Sequence, residues 1–94
     1  MRRIAKVDAN QKEIVVALRK MGATVQHLHT LGKGCPDILV GFRGRNYLFE
    51  IKDGGKVPSK RKLTPDEEEW IRAWNGHVSI IEKFQDAFEV LTCL

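Results

Sequence analysis

The sequence predicts an α/β fold in which a mixed central sheet is flanked by helices, in the order α-β-β-β-α-β-α. Three features predict it. Two short runs rich in β-formers, residues 38–42 and 47–51, are joined by Arg43-Gly44-Arg45-Asn46, whose Gly and Asn suit a tight hairpin. Helix-start chemistry brackets this hairpin, at Asp8 on one side and at Thr64-Pro65-Asp66-Glu67 on the other. A last apolar run, His77 to Ile81, precedes Phe84, Ala87, Phe88 and Leu91 at helical spacing.

Taken in order, Asp8 reads as an N-cap, with Gln11 completing a capping box. Ile14, Ala17, Leu18 and Met21 form an apolar stripe that Gly22 ends, and Gln11 lies along it. Ala23 to His29 reads as a strand whose two histidines, His27 and His29, share a face. No third ligand stands at zinc spacing, so hydrogen-bonded histidines are expected. Thr30 to Gly34 is a flexible connection carrying Lys33. In the second long helix Thr64 is the N-cap, Pro65 holds N1 and Glu67 closes a capping box. Trp70, Ile71 and Trp74 are expected to face the core, before Asn75-Gly76 ends the helix.

The hairpin carries ionisable residues where a buried strand should have none. Asp37, Glu50 and Lys52 need one another or a cation, because an uncompensated buried charge costs several kcal/mol or more. A turn centred between residues 43 and 44 sets Asp37 across from Glu50, and one centred between 44 and 45 sets it across from Lys52. Either register gathers the three. Glu50 and Lys52 leave the same face of their strand, and Pro36, which cannot donate to a ladder, suits the position just before a strand begins. Asp37, Glu50 and the Ile51 carbonyl are hard oxygen donors that suit Mg²⁺ or Mn²⁺. An ammonium beside them, Lys52, can orient a water or stabilise charge on a phosphate.

Pro36-Asp37, followed by Glu50-x-Lys52 thirteen residues after Asp37, resembles the PD-(D/E)xK nuclease motif. The surrounding sequence is similar to the VRR-NUC branch, the virus-type replication-repair nucleases, in its small stand-alone phage and prophage form. The likeness runs from about Asp8 to Leu91 and includes Leu18 four residues before Gly22, Gly34 ahead of Pro36-Asp37, and Leu63-Thr64-Pro65. It implies a metal-dependent endonuclease that acts on branched DNA such as four-way junctions, as a homodimer. Related nucleases often carry a Glu on the first helix that completes the metal site. Counting back from Leu18 and Gly22 puts Gln11 there, which can hold a metal-bound water but brings no charge; Asn10 and Glu13 are neighbours that can substitute. The family also implies a Gln near Glu67 that helps arrange the site; this chain has Glu there, for which capping is the expected role.

The 94 residues are expected to form one domain, residues 1–94. Their net charge of +4 is unevenly spread. Residues 1–32 and 33–62 carry +4 and +5, while 66–94 carry −5. A basic front half fits a polyanion such as DNA meeting one face. Lys56, Lys60, Arg61 and Lys62, in the loop after the hairpin, and Lys33 ahead of it are the expected phosphate contacts. With Cys35 and Cys93 far apart and no CxxC pattern, reduced thiols are expected, with Cys35 a small filler beside the site. No apolar h-region or membrane-length run is present, so a cytoplasmic location is expected, the host's if the chain is phage-encoded. The competing readings are a nicking, flap or restriction-like nuclease and a catalytically silent DNA-binding module.

Overall fold

The computed structural model describes residues 8–93; the basic start, expected to be poorly ordered, and Leu94 lie outside the described residues. The elements are α1 (Ala9–Lys20), β1 (Thr24–His27), β2 (Ile38–Phe42), β3 (Arg45–Ile51), α2 (Pro65–Ala73), β4 (Val78–Ile81) and α3 (Phe84–Thr92), with 3-10 turns at His29–Leu31 and Pro58–Lys60. This is the expected order.

The four strands lie in the order β1-β2-β3-β4. β1, β2 and β3 pair antiparallel, and β4 pairs parallel to β3, so the sheet is mixed. The β2–β3 register pairs Ile38 with Phe49 through Phe42 with Arg45. Of the two expected registers this is the one that sets Asp37 across from Glu50. It follows from a two-residue turn in which Arg43 and Gly44 have φ of 52° and 78°. Positive φ at both central positions is the type I′ geometry whose twist matches that of the flanking strands. Arg45 and Asn46, expected in the loop, therefore join the ladder.

β1 ends at His27, two residues earlier than expected. Its partner there, Ile38, is the first residue of β2, and Pro36 has no N–H with which to extend the ladder. One further bond, Leu28 N–H to the Asp37 carbonyl at 2.8 Å, closes the pair, and the chain turns into the 3-10 segment.

Alternation decides which face is the core. Ile38, Val40, Phe49, Ile51 and Ile81 point to one side of the sheet and are almost fully buried under Ile14, Val15 and Leu18 of α1 and Ala87 and Leu91 of α3. Leu39, Leu48, Glu50 and Lys52 point to the other side, where α2 lies. That helix buries none of its residues fully. Trp70 and Trp74, expected in the core, instead stack on each other with ring centroids 4.7 Å apart. Trp74 is 48% exposed. Their four-residue spacing puts them on one face as read, but that face meets the thinly covered side of the sheet, because α1 and α3 already fill the other.

Candidate active site

The hairpin register delivers two carboxylates and an ammonium to one place. Pro36 is buried and holds the entry to β2, so that Asp37 Oδ2 accepts the Ile51 backbone N–H at 2.7 Å. Glu50 on β3 and Lys52 just past its end are 2% and 8% exposed. Lys52 Nζ lies 3.7 Å from Glu50 Oε2 and 2.6 Å from Glu67 Oε1. The same Glu67 oxygen accepts the Thr64 N–H at 2.8 Å, while Thr64 Oγ1 accepts the Glu67 N–H at 3.2 Å. Glu67 thus forms the expected capping box and also grips the site lysine. The resemblance implied a residue near Glu67 that helps arrange the site, but the pairing with Lys52 was not expected, since no periodicity relates an N3 residue on α2 to a strand.

Gly34 shows how α2 is set against the hairpin. Its φ is 82°, and a Cβ there would collide with the Asp66 carbonyl and stand 2.8 Å from Glu67 N. Only glycine lets the loop before Asp37 lie this close to the first turn of α2. Gly34→Ala is therefore expected to push α2 outward, lengthen the Lys52–Glu67 contact and cost about 2 kcal/mol or more. Thermal melting of the variant, with a shift of about 8 °C or more for a domain of this size, checks this.

The charges perturb one another strongly. Burial, then the negative charges of Asp37 and Glu67, push the Glu50 carboxyl up to about 10. Burial also raises Asp37, against the pull of its Ile51 hydrogen bond. Burial pulls Lys52 down, but Glu67 and Glu50 outweigh it and hold the ammonium above its usual range. Burial pushes Glu67 up, and the bonds from Lys52 and Thr64 overcome it, leaving Glu67 below the usual carboxylate range. Without a cation the Asp37–Glu50 pair therefore resists full ionisation. The Cys35 thiol is raised by burial and by Glu50 and Asp37, which suits a filler beside the site rather than a nucleophile.

On α1, Gln11 is 1% exposed. Its Nε2 is 3.5 Å from His27 Nδ1, and its Oε1 is buried with no hydrogen-bond partner. The expected capping box is absent: the Asp8 side chain makes no cap bond. With Gln11 drawn inward along the Ile14–Leu18 stripe, its amide cannot return to the helix start, and only the Asp8 carbonyl meets the Gln11 N–H, at 3.0 Å. The Asp8 carboxylate instead lies 3.9 Å from Lys56 Nζ and near enough to the cluster for its charge to raise Asp37 and Lys52. Asn10 donates to the carbonyls of Lys52 and Glu82 at 2.9 and 3.0 Å, latching α1 to the ends of β3 and β4. Glu13 is exposed, away from the buried stripe.

The donor set suits a hard divalent cation. Glu50 Oε1 is buried without a partner, as is Gln11 Oε1. Two carboxylates held above their usual range gain from any cation that takes the place of a proton. Among the described residues no three His, Cys, Asp or Glu side chains converge as a metal cage. Ligands beyond Asp37 and Glu50 would be the Ile51 carbonyl and water, which is how Mg²⁺ is usually held, whereas the Gln11 amide contacts His27. His27 and His29 meet edge to face with centroids 5.6 Å apart.

Of the expected phosphate contacts, Lys33, Lys56, Lys60 and Lys62 are exposed. Arg61 is engaged within the protein: its Nε donates to the Lys56 carbonyl at 2.8 Å, and its Nη1 is 3.2 Å from Glu82 Oε1. It fastens the basic loop to the end of β4.

No protein-family model and no curated protein matches the sequence. A solved structure titled "VRR_NUC domain" is similar in fold, with a TM-score of 0.61 over 89% of this chain and 92% of that chain, at 24% identity. The α-β-β-β-α-β-α arrangement is thus the fold that the resemblance implied. Among the described residues no helix is long and apolar enough to cross a membrane.

Proposed function

We propose that this chain is a divalent-metal-dependent DNA endonuclease that cuts branched DNA as a homodimer. The observation that carries the reading is the cluster at the start of β2 and the end of β3. Two carboxylates converge there, one with a partnerless buried oxygen, beside an ammonium that a third carboxylate holds. Asp37, Glu50 and the Ile51 carbonyl would hold Mg²⁺ or Mn²⁺, with Gln11 on a bound water. When bound, the ion supplies Lewis-acid polarisation of a phosphate oxygen and a more acidic water. Lys52 orients the attacking water or stabilises charge developing on the phosphate, in surroundings dry enough to strengthen it. Ile51 N–H holds the Asp37 carboxylate in its aim. Lys33, Lys56, Lys60 and Lys62 supply phosphate contacts that carry no sequence information, which suits a nuclease that selects DNA by shape.

The dimer reading is supported by the uneven cover of the sheet. On the α2 side a groove of about 490 Å³ is lined by Leu28, Leu31, Leu39, Leu48, Trp70 and Trp74. Leu31 is 66% exposed, and Ile80 on the same face is 42% exposed. An apolar patch of this kind on a small domain marks an interface. Cutting two opposed strands needs two sites, and each chain brings one.

The test is incubation of a labelled four-way junction and a linear duplex of matching sequence with Mg²⁺, Mn²⁺ or EDTA. The expected result is paired, metal-dependent nicks in the junction, with binding that weakens steeply as salt rises. Binding of both DNAs with no cutting in either metal would leave the silent DNA-binding module in its place.

A further inference from the structure

The Lys52 ammonium has two carboxylates to choose between, and it has chosen the one outside the proposed metal site. Its Nζ is 2.6 Å from Glu67 Oε1 but 3.7 Å from Glu50 Oε2. Glu50 keeps its other oxygen, Oε1, buried and without a partner. Glu67 is itself immobilised. The capping box locks its carboxylate to Thr64, and Gly34 packs against the backbone of its helix turn. An ammonium tethered two residues from Glu50 would otherwise have that carboxylate as its nearest counter-charge, and an ion pair there competes directly with a cation for the same oxygens.

We infer that Glu67 is a positioning residue that holds the Lys52 ammonium off Glu50 and so keeps Glu50 available to a divalent cation. The inference rests on the reading of Asp37 and Glu50 as metal ligands. It assigns α2 a part in metal loading without making Glu67 a ligand. Without the Glu67 charge, Lys52 moves toward Glu50, and cation binding must first displace it.

The experiment is calorimetric titration of Mn²⁺ into the full chain, without DNA, for wild type, Glu67→Gln, Lys52→Met and the double variant. Gln at this position still accepts the Thr64 N–H and preserves the helix start, so Glu67→Gln isolates the charge; melting curves verify the fold. Mn²⁺ affinity is expected to fall about tenfold in Glu67→Gln, at the lower end of what groups just outside a metal site are worth. In the Lys52→Met background the same change is expected to have no effect, since the competitor is gone. Equal affinity in wild type and Glu67→Gln overturns the inference, as does a loss that persists unchanged when Lys52 is absent, because Glu67 then acts on the cation by its own charge. Failure of wild type to bind Mn²⁺ at all overturns the underlying metal-site reading, and the inference with it.

Discussion

Replacing Glu50 by Gln is expected to lower DNA cleavage by about 10³-fold or more and, in the same protein without metal, to raise the melting temperature at alkaline pH. The first effect follows from losing a carboxylate that holds the cation. A contribution of about 4 kcal/mol to the barrier corresponds to about three powers of ten in rate. The second follows from the state of the buried carboxyl. Its folded value, about 10, lies above its ordinary value of 4.5. Its stabilising contribution is therefore complete below 4.5 and is lost progressively as pH rises toward 10, because the unfolded chain ionises freely where the folded one cannot. Asp37, also raised, acts in the same direction. Glu67, lowered, adds stability above its ordinary value of 4.5 that is lost only as pH falls through its folded value, so its effect lies on the acid side of this window. Metal-free wild type should thus melt lower at pH 9 than at pH 6, and Glu50→Gln should show a flatter profile that crosses above it. At about 4–8 °C per kcal/mol for a domain of this size the difference is readily measured. A wild-type melting temperature that rises from pH 6 to pH 9 in EDTA would contradict the account.

Lys52→Ala is expected to fail in the opposite sense, losing both activity and stability. Removing one charged donor from a developing transition state costs about 10²–10³-fold in rate. Removing one partner of a buried ion pair costs about 3–5 kcal/mol, because the other charge is left stranded. Here Glu67 is stranded, with a side chain 18% exposed, so the lower part of that range applies. The negative charges of Asp37 and Glu67, both felt by Glu50, are then left without the Lys52 ammonium. Added Mg²⁺ or Mn²⁺ should restore part of the lost stability in urea denaturation, by occupying the same charge-starved cluster. A variant as stable as wild type in EDTA would show that the Lys52–Glu67 contact contributes nothing. Glu50→Gln and Lys52→Ala together separate the two charges of the hairpin by the sign of their effect on stability, a contrast that general loss of fold cannot produce.

Much of this was legible in the sequence because it is local. The Arg43-Gly44 turn, the capping chemistry of Thr64 and Glu67 and the Gly22 stop act over a few residues, and the two-residue period of β3 alone puts Glu50 and Lys52 on one face. The choice between two hairpin registers was not legible. It depended on Arg43 adopting a positive φ of 52°, which its side chain does not favour. Asp8 and Gln11 show a different limit. Their spacing fits a capping box, but the apolar stripe of α1 draws Gln11 inward to 1% exposure, and tertiary burial overrides the local pattern. Trp70 and Trp74 have the spacing of a core face, yet which side of a sheet is filled first is a matter of how many helices land on it. The tie between Glu67 and Lys52 joins a helix cap to a strand fifteen residues away through a glycine contact, and no short-range signal encodes that.

The central claim is that Asp37 and Glu50 form a divalent-cation site, and the most direct measurement is a crystal of the wild-type protein grown with Mn²⁺ and read by anomalous scattering. The account predicts a peak bound by both carboxylates on the sheet face toward α2, lost in Asp37→Asn. No peak there at saturating Mn²⁺, or a peak that ignores both carboxylates, would contradict it.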